Sequence, residues 1–330
     1  MIAAVLSSLA LAAPRVAWGW GAAGHGAIGA VADRLLAGTD AGREVRAILG
    51  PDETLEQASV WADCAKGVVR EGRRFRYAPK DHFPECAPFE TRAGEAAMVR
   101  FVARNAAHCG PHEADDACGH RTYHYADVAI QHDRYDRRFV GTSDHDVVAA
   151  IHAAIAVLKG QPAPAPFAID SKRDALRLLA HWVGDLHQPL HVEAVYLDAR
   201  GRPVDPDRGA FDPATATRGG NAILDGDRNL HAEWDAVRAA VAADVRSDIA
   251  GARAVPATSG RVAKWPEAWA TDTIVAGRSA FAPLSFGARE GDHWTVSPPA
   301  DYARARDDLQ RRQLTKAGAR LAQLLRAIWP

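Results

Sequence analysis

The chain has 330 residues, of which 48% are hydrophobic and 25% charged, and its 40 basic and 41 acidic side chains leave a formal net charge of −1. This is the balance of a folded soluble globule; it excludes intrinsic disorder as the dominant state and a nucleic-acid coat held by bulk positive charge. Phosphate recognition stays open, because bound metal ions bring positive charge that a residue count omits.

The apolar run at residues 2–13 is too short to span a bilayer and matches the core of a signal peptide, although no basic flank precedes it. Ala17 and Gly19 place small residues where a signal peptidase reads them, so residues 1–19 are expected to be removed and Trp20 to become the first residue. Cleavage before Trp18 is the rival, and it puts Arg15 where a small residue is preferred. A secreted or periplasmic protein is expected. Helical periodicity then predicts helices over 24–36, 42–49 and 54–65, the last with Pro51 near its start. An Ala-rich helix follows over 93–107. Ser143 with Asp146, and Ser171 with Asp174, read as capping boxes for helices running through Leu158 and over 175–188. Further helices are predicted over 229–249 and 262–281, and a last one carries Leu321, Leu324, Leu325 and Ile328 on one face. Strand signals are few and short. The expectation is a single all-α, multi-helix domain over 20–330, with a cysteine-bearing insertion at about 64–120.

Cys64, Cys86, Cys109 and Cys118 all fall in that insertion. In an exported protein they suggest two disulfides with three possible pairings, of which Cys64–Cys86 with Cys109–Cys118 is the expectation. A zinc finger is disfavoured because no Cys-x-x-Cys pair exists.

The stretch AHWVGDLHQPLHVE places His181 and Asp185 four residues apart on a predicted helix, and therefore on one face. Pro189 ends or kinks that helix, and His191 lies just beyond. The stretch NLHAEWD repeats the spacing with His231 and Asp235. One such pair is weak evidence, since most are surface pairs. Two in largely apolar helices are stronger, because burying a carboxylate with an imidazole is costly unless something pairs with both. A zinc ion would do so. At a mature N-terminus, the Trp20 amine and carbonyl can chelate a metal with His25 one turn on. Asp63 in VWADCAK and His124 in YHYADV complete the candidates.

These motifs, WGAAGH, WAD, YHYADV, HWVGDLHQPLH, GGN and NLHAEWD, occur in the order of a known family between Trp20 and about Trp269. The sequence resembles the zinc-dependent single-strand-specific nucleases of the S-one/P-one type, which share a fold with bacterial zinc phospholipases C. The resemblance implies three zinc ions per chain. It assigns one to Asp63, His124, His181 and Asp185, a second to Trp20, His25 and the bridging Asp185, and a third to His191, His231 and Asp235. It further implies hydrolysis of single-stranded DNA and RNA to 5′-mononucleotides, with 3′-nucleotidase activity; a monomer is the default expectation. Asp63 and Lys66 would be catalytic, Lys66 standing where fungal members carry Arg, and Asn221 of the GGN turn would hold a substrate phosphate or the site itself. His82 is a rival to His124. Tyr123, Tyr125 and Tyr196 are candidates for a base-stacking platform. The competing readings are a zinc phospholipase C on the same metal frame and a catalytically dead, zinc-stabilised binding protein.

Overall fold

A computed structural model describes residues 20–80, 82–106 and 119–330. The expected leader, Cys109 and Cys118 lie outside them. Helices dominate, as the periodicity predicts. In chain order, α1 (Gly21–Leu36), α2 (Asp40–Leu49), α3 (Leu55–Ala58) and α4 (Trp61–Ala65) lead into a hairpin of β1 (Val68–Glu71) and β2 (Arg74–Tyr77). Next come α5 (Arg92–Arg104), a 3-10 turn at Gly119–His124, β3 (Val128–Ala129), α6 (Val147–Leu158), α7 (Lys172–Asp185) and α8 (Pro189–Val192). The short strands β4 (Glu193–Ala194), β5 (Tyr196–Leu197), β6 (Pro203–Val204), β7 (Ile223–Asp225) and β8 (Arg228–Asn229) precede α9 (Leu230–Asp235), α10 (Ala239–Ser247), α11 (Ile249–Ala254) and α12 (Trp265–Phe281). A second hairpin, β9 (Ser285–Glu290) with β10 (His293–Ser297), leads into the long α13 (Tyr302–Ile328).

Helix α1 is the hub. It packs against α13, α3, α10 and α7. Its approach to α3 is so close that a Cβ on Gly29 would lie 2.2 Å from the Leu55 carbonyl oxygen, so only glycine fits there. Helix α7 is buried from Ala175 to Asp185 and lies against α6, α1 and α4. A buried ion pair fixes its outer turn: Arg177 Nε donates to Glu53 Oε1 at 2.7 Å, and its guanidinium sits over Trp61 and Phe89. A smaller apolar cluster forms around Trp234, Trp294, Phe281 and Tyr302, covered by a four-stranded sheet ordered β8-β7-β10-β9. Among the described residues, no helix is long and apolar enough to cross a membrane.

Four predicted helix boundaries are corrected, each by a polar side chain or a redirected carbonyl. The expected helix over 54–65 breaks at Ser59, whose hydroxyl lies 2.8 Å from the carbonyls of both Glu56 and His25 and shares its one hydrogen between them. The 143–158 helix is capped by Asp146, whose carboxylate takes the amides of Val148 and Ala149 at 3.0 Å, and not by Ser143. The cap at Ser171 holds, but α7 ends at Asp185, three residues early, and Gln188 caps the next helix. The expected 229–249 helix splits after Asp235, whose carbonyl accepts from Val237, two residues on, instead of an amide one turn on. The Cys64–Cys86 disulfide is present, with a sequence separation of 22.

Candidate metal centre

The break between α3 and α4, the kink between α7 and α8 and the early end of α9 all point side chains at one place. Asp185 ends α7 fully buried. Its carboxylate stands 2.9 Å from His124 Nδ1, 3.0 Å from His181 Nε2, 3.3 Å from His191 Nδ1 and 3.4 Å from His25 Nε2. The His25 ring, from α1, stacks on that of His181 with centroids 3.8 Å apart. Asp63, from α4, brings Oδ1 to 3.6 Å from His181 Nε2. Across Asp185, His191 Nε2 and His231 Nε2 approach to 3.1 Å, with Asp235 Oδ2 3.3 Å from His231 Nε2. The structure thus forms three buried groups, His25–His181–Asp185, Asp63–His124–His181 and His191–His231–Asp235, each with ligand-type atoms within 4.8 Å of one another.

The donor chemistry of these groups fits a cation. His181 Nδ1 donates to the Ser59 carbonyl at 2.7 Å, His191 Nδ1 to the His124 carbonyl at 2.8 Å and His231 Nδ1 to the Gly219 carbonyl at 2.7 Å. A carbonyl only accepts, so each Nδ1 carries a hydrogen, and each ring in its neutral form presents a bare lone pair at Nε2. At His191 and His231 two such lone pairs face each other beside a carboxylate, which is repulsive unless a positive charge lies between them. His25 has no hydrogen-bond partner at either ring nitrogen, and Asp185 Oδ1 and Asp235 Oδ2 have none either. Mixed imidazole and carboxylate donors of this kind suit zinc.

Electrostatics favour the neutral form at His25, His124 and His231, whereas at His181 burial is outweighed by the Asp185 and Asp63 carboxylates, which raise it. Burial, helped by His181, pushes His25 down to about 4. Burial with Lys66 takes His124 to about 3, and burial with His191 takes His231 to about 3. Each is therefore a neutral imidazole at pH 7, the form that binds metal. Burial opposes ionisation of Asp185, but His181 and His191 outweigh it and hold the carboxyl well below its ordinary value. Burial drives Asp235 the other way, well above its ordinary value, eased by a hydrogen bond from Gln188 Nε2 at 2.8 Å. As an ionised group, Asp235 lacks a compensating positive partner.

Trp20 is fully buried at the start of α1, with its indole donating to the Gly184 carbonyl at 2.8 Å. A Cβ on the next residue, Gly21, would lie 3.0 Å from the Asp235 carbonyl oxygen. The start of the described chain therefore lies between α7 and α9, among the three groups. Lys66 Nζ sits 2.7 Å from Asp63 Oδ1. His82, the rival ligand, is exposed, pairs with Glu90 at 3.1 Å and belongs to none of the groups. Asn221 closes its own turn by donating to the Arg218 carbonyl at 2.9 Å. That turn reaches the centre through Gly219, whose positive φ of 57° aims its carbonyl at His231. Tyr123 and Tyr196 are core residues, whereas Tyr125 is half-buried beside His124. Sequence reasoning passed over the supporting groups Ser59, Gly219 and Gln188. The only signal for them was that Gln188 and Gly219 lie inside the HQPLH and GGN motifs.

A family model described as S1/P1 Nuclease matches residues 20–330, beyond Trp269 and through the last helix. No curated protein matches the chain in sequence.

Proposed function

The chain belongs to the S1/P1 nuclease family, and from that premise we propose a zinc-dependent phosphodiesterase that hydrolyses single-stranded DNA and RNA to 5′-mononucleotides, with 3′-nucleotidase activity. The observation that carries the zinc reading is Asp185, a fully buried carboxylate that belongs to one of the three His/Asp groups and stands 2.9 Å from His124 of the second and 3.3 Å from His191 of the third. Zinc would be held by Asp63, His124, His181 and Asp185, by His25, Asp185 and the amine and carbonyl of Trp20, and by His191, His231 and Asp235. When bound, zinc supplies positive charge for the phosphodiester and lowers the pKa of water to about 7.

The chain's own residues account for the rest. Asp63 orients the attacking water opposite the leaving 3′-oxygen and accepts its proton. Lys66, ion-paired to Asp63, screens charge developing on the phosphoryl oxygens. Cleavage of the P–O3′ bond leaves the phosphate on the 5′ side of the product. Tyr125 is the proposed stacking platform, since Tyr123 and Tyr196 are spent on the core. A frayed strand can present a base to that ring, while a stacked duplex cannot. Asn221 shapes the turn that orients His231. Removal of residues 1–19 frees the Trp20 amine, which fits export as a secreted or periplasmic monomer.

The test is nucleotide release from single-stranded DNA by zinc-loaded protein whose N-terminus is Trp20. Release of 5′-mononucleotides, abolished by a chelator and restored by zinc, is expected. Release of phosphocholine from phosphatidylcholine, with no nucleotide released, would overturn the reading in favour of a phospholipase.

A further inference from the structure

From Lys66 to Lys80 the chain carries six basic residues and one acidic residue, an excess of five positive charges in a protein whose net charge is −1. The segment folds as the β1–β2 hairpin, with Arg70 opposite Phe75, Val69 opposite Arg76 and Glu71 opposite Arg74. Gly67, directly after Lys66, closes its base by accepting from Ala78 at 2.9 Å. The base is further fixed by Cys64–Cys86, by Tyr77 donating to Glu90 at 2.8 Å and by Arg121 donating to the Lys66 carbonyl at 2.9 Å. At about 3.3 Å per residue, the five residues from Gly67 to the turn at Gly72 carry the arm roughly 16 Å outward from the Asp63–Lys66 pair.

Arg70, Arg73, Arg74 and Arg76 are all exposed. Arg76 pairs with Glu71 at 2.6 Å, whereas among the described residues Arg70, Arg73 and Arg74 have no ion-pair partner. The arm therefore offers unneutralised guanidinium groups on a rigid support that begins one residue beyond the proposed catalytic lysine. Guanidinium groups match phosphate in charge and in fork geometry.

We infer that the β1–β2 hairpin is a backbone-binding arm that holds the phosphates of a single strand outside the scissile position and so favours polymers over short substrates. The inference rests on the nuclease reading for its substrate, but its test does not depend on turnover. Arg70→Gln, Arg73→Gln and Arg74→Gln are combined in the zinc-loaded protein, with circular dichroism and melting confirming the fold. Stopped-flow anisotropy of a labelled single strand is read before hydrolysis, across a salt series. The variant should bind about tenfold more weakly, and the slope of log affinity against log salt should shrink by about 2, since every phosphate that a single strand no longer has neutralised takes about 0.7 off that slope. KM for a long strand should rise in parallel, while kcat and the KM for a dinucleotide stay unchanged. Strand binding that depends on the arm, in a protein that hydrolyses nothing, would support the arm and sink the nuclease reading alone. Equal strand affinity and an equal salt slope would overturn the arm. So would a loss confined to anionic phosphatidylglycerol vesicles, which would make the hairpin a membrane contact.

Discussion

Replacing Asp185 by Asn keeps the shape of the side chain and removes the charge on which the centre converges. Four imidazole nitrogens lie between 2.9 and 3.4 Å from that carboxylate, and nothing around it is solvent-exposed. Removing one partner of a buried charge constellation costs about 3–5 kcal/mol. At about 1.36 kcal/mol per decade, that is a loss of roughly two to four orders of magnitude in zinc affinity. Asp185 belongs to the His25–His181–Asp185 group and stands 2.9 Å from His124 and 3.0 Å from His181 of the next, so those two groups should bear the loss together. The His191–His231–Asp235 group has its own carboxylate and keeps its ion. Elemental analysis after dialysis should therefore find one zinc where the native protein holds one per group, and the melting temperature should fall as the stabilisation by bound metal disappears. Asp235→Asn is the control and should remove a single ion. Undiminished zinc content and an unchanged melting temperature in Asp185→Asn would refute the shared-ligand argument.

One residue added before Trp20 should displace the chelating amine and lower both zinc content and nucleotide release. Full activity in the extended protein would exclude a role for the mature N-terminus. Gly184→Ala puts a Cβ 2.7 Å from His25 Nδ1 and 3.0 Å from Ile28 Cδ1. Such overpacking costs about 1–3 kcal/mol and should tilt the His25 ring, read as a lower melting temperature with reduced zinc. Replacing Cys64 and Cys86 together by Ser opens a link across a sequence separation of 22 and should cost about 3 kcal/mol in urea denaturation. A midpoint equal to that of the native protein would show that the link constrains nothing. Tyr125→Ala should weaken single-strand binding by about 1–3 kcal/mol if a base stacks there. An unchanged KM on single strands would move the platform elsewhere.

Much of the candidate centre was legible in the chain because its His/Asp pairs are encoded locally. His181 with Asp185, and His231 with Asp235, each sit one helical turn apart, and that spacing alone puts each pair on one face. The helical class was legible for the same reason, since apolar periodicity is a short-range signal. The motifs also favoured His124 over His82; in the structure His124 lies in a buried His/Asp group, and His82 lies exposed beside Glu90. What the chain hid was decided by contacts between segments far apart in sequence. Nothing near residue 59 announces that the Ser59 carbonyl must orient His181, 122 residues away, and that its hydroxyl must hold the His25 carbonyl instead of prolonging a helix. The hold of Gln188 on the Asp235 carboxylate and the aim of Gly219 at His231 likewise answer to partners distant in the chain. So does the choice among the three tyrosines, because burial is a property of the packed whole. Candidate pairing and helix face follow from neighbours in the chain. Side-chain orientation, helix ends and exposure follow from neighbours in space, which only the folded chain supplies.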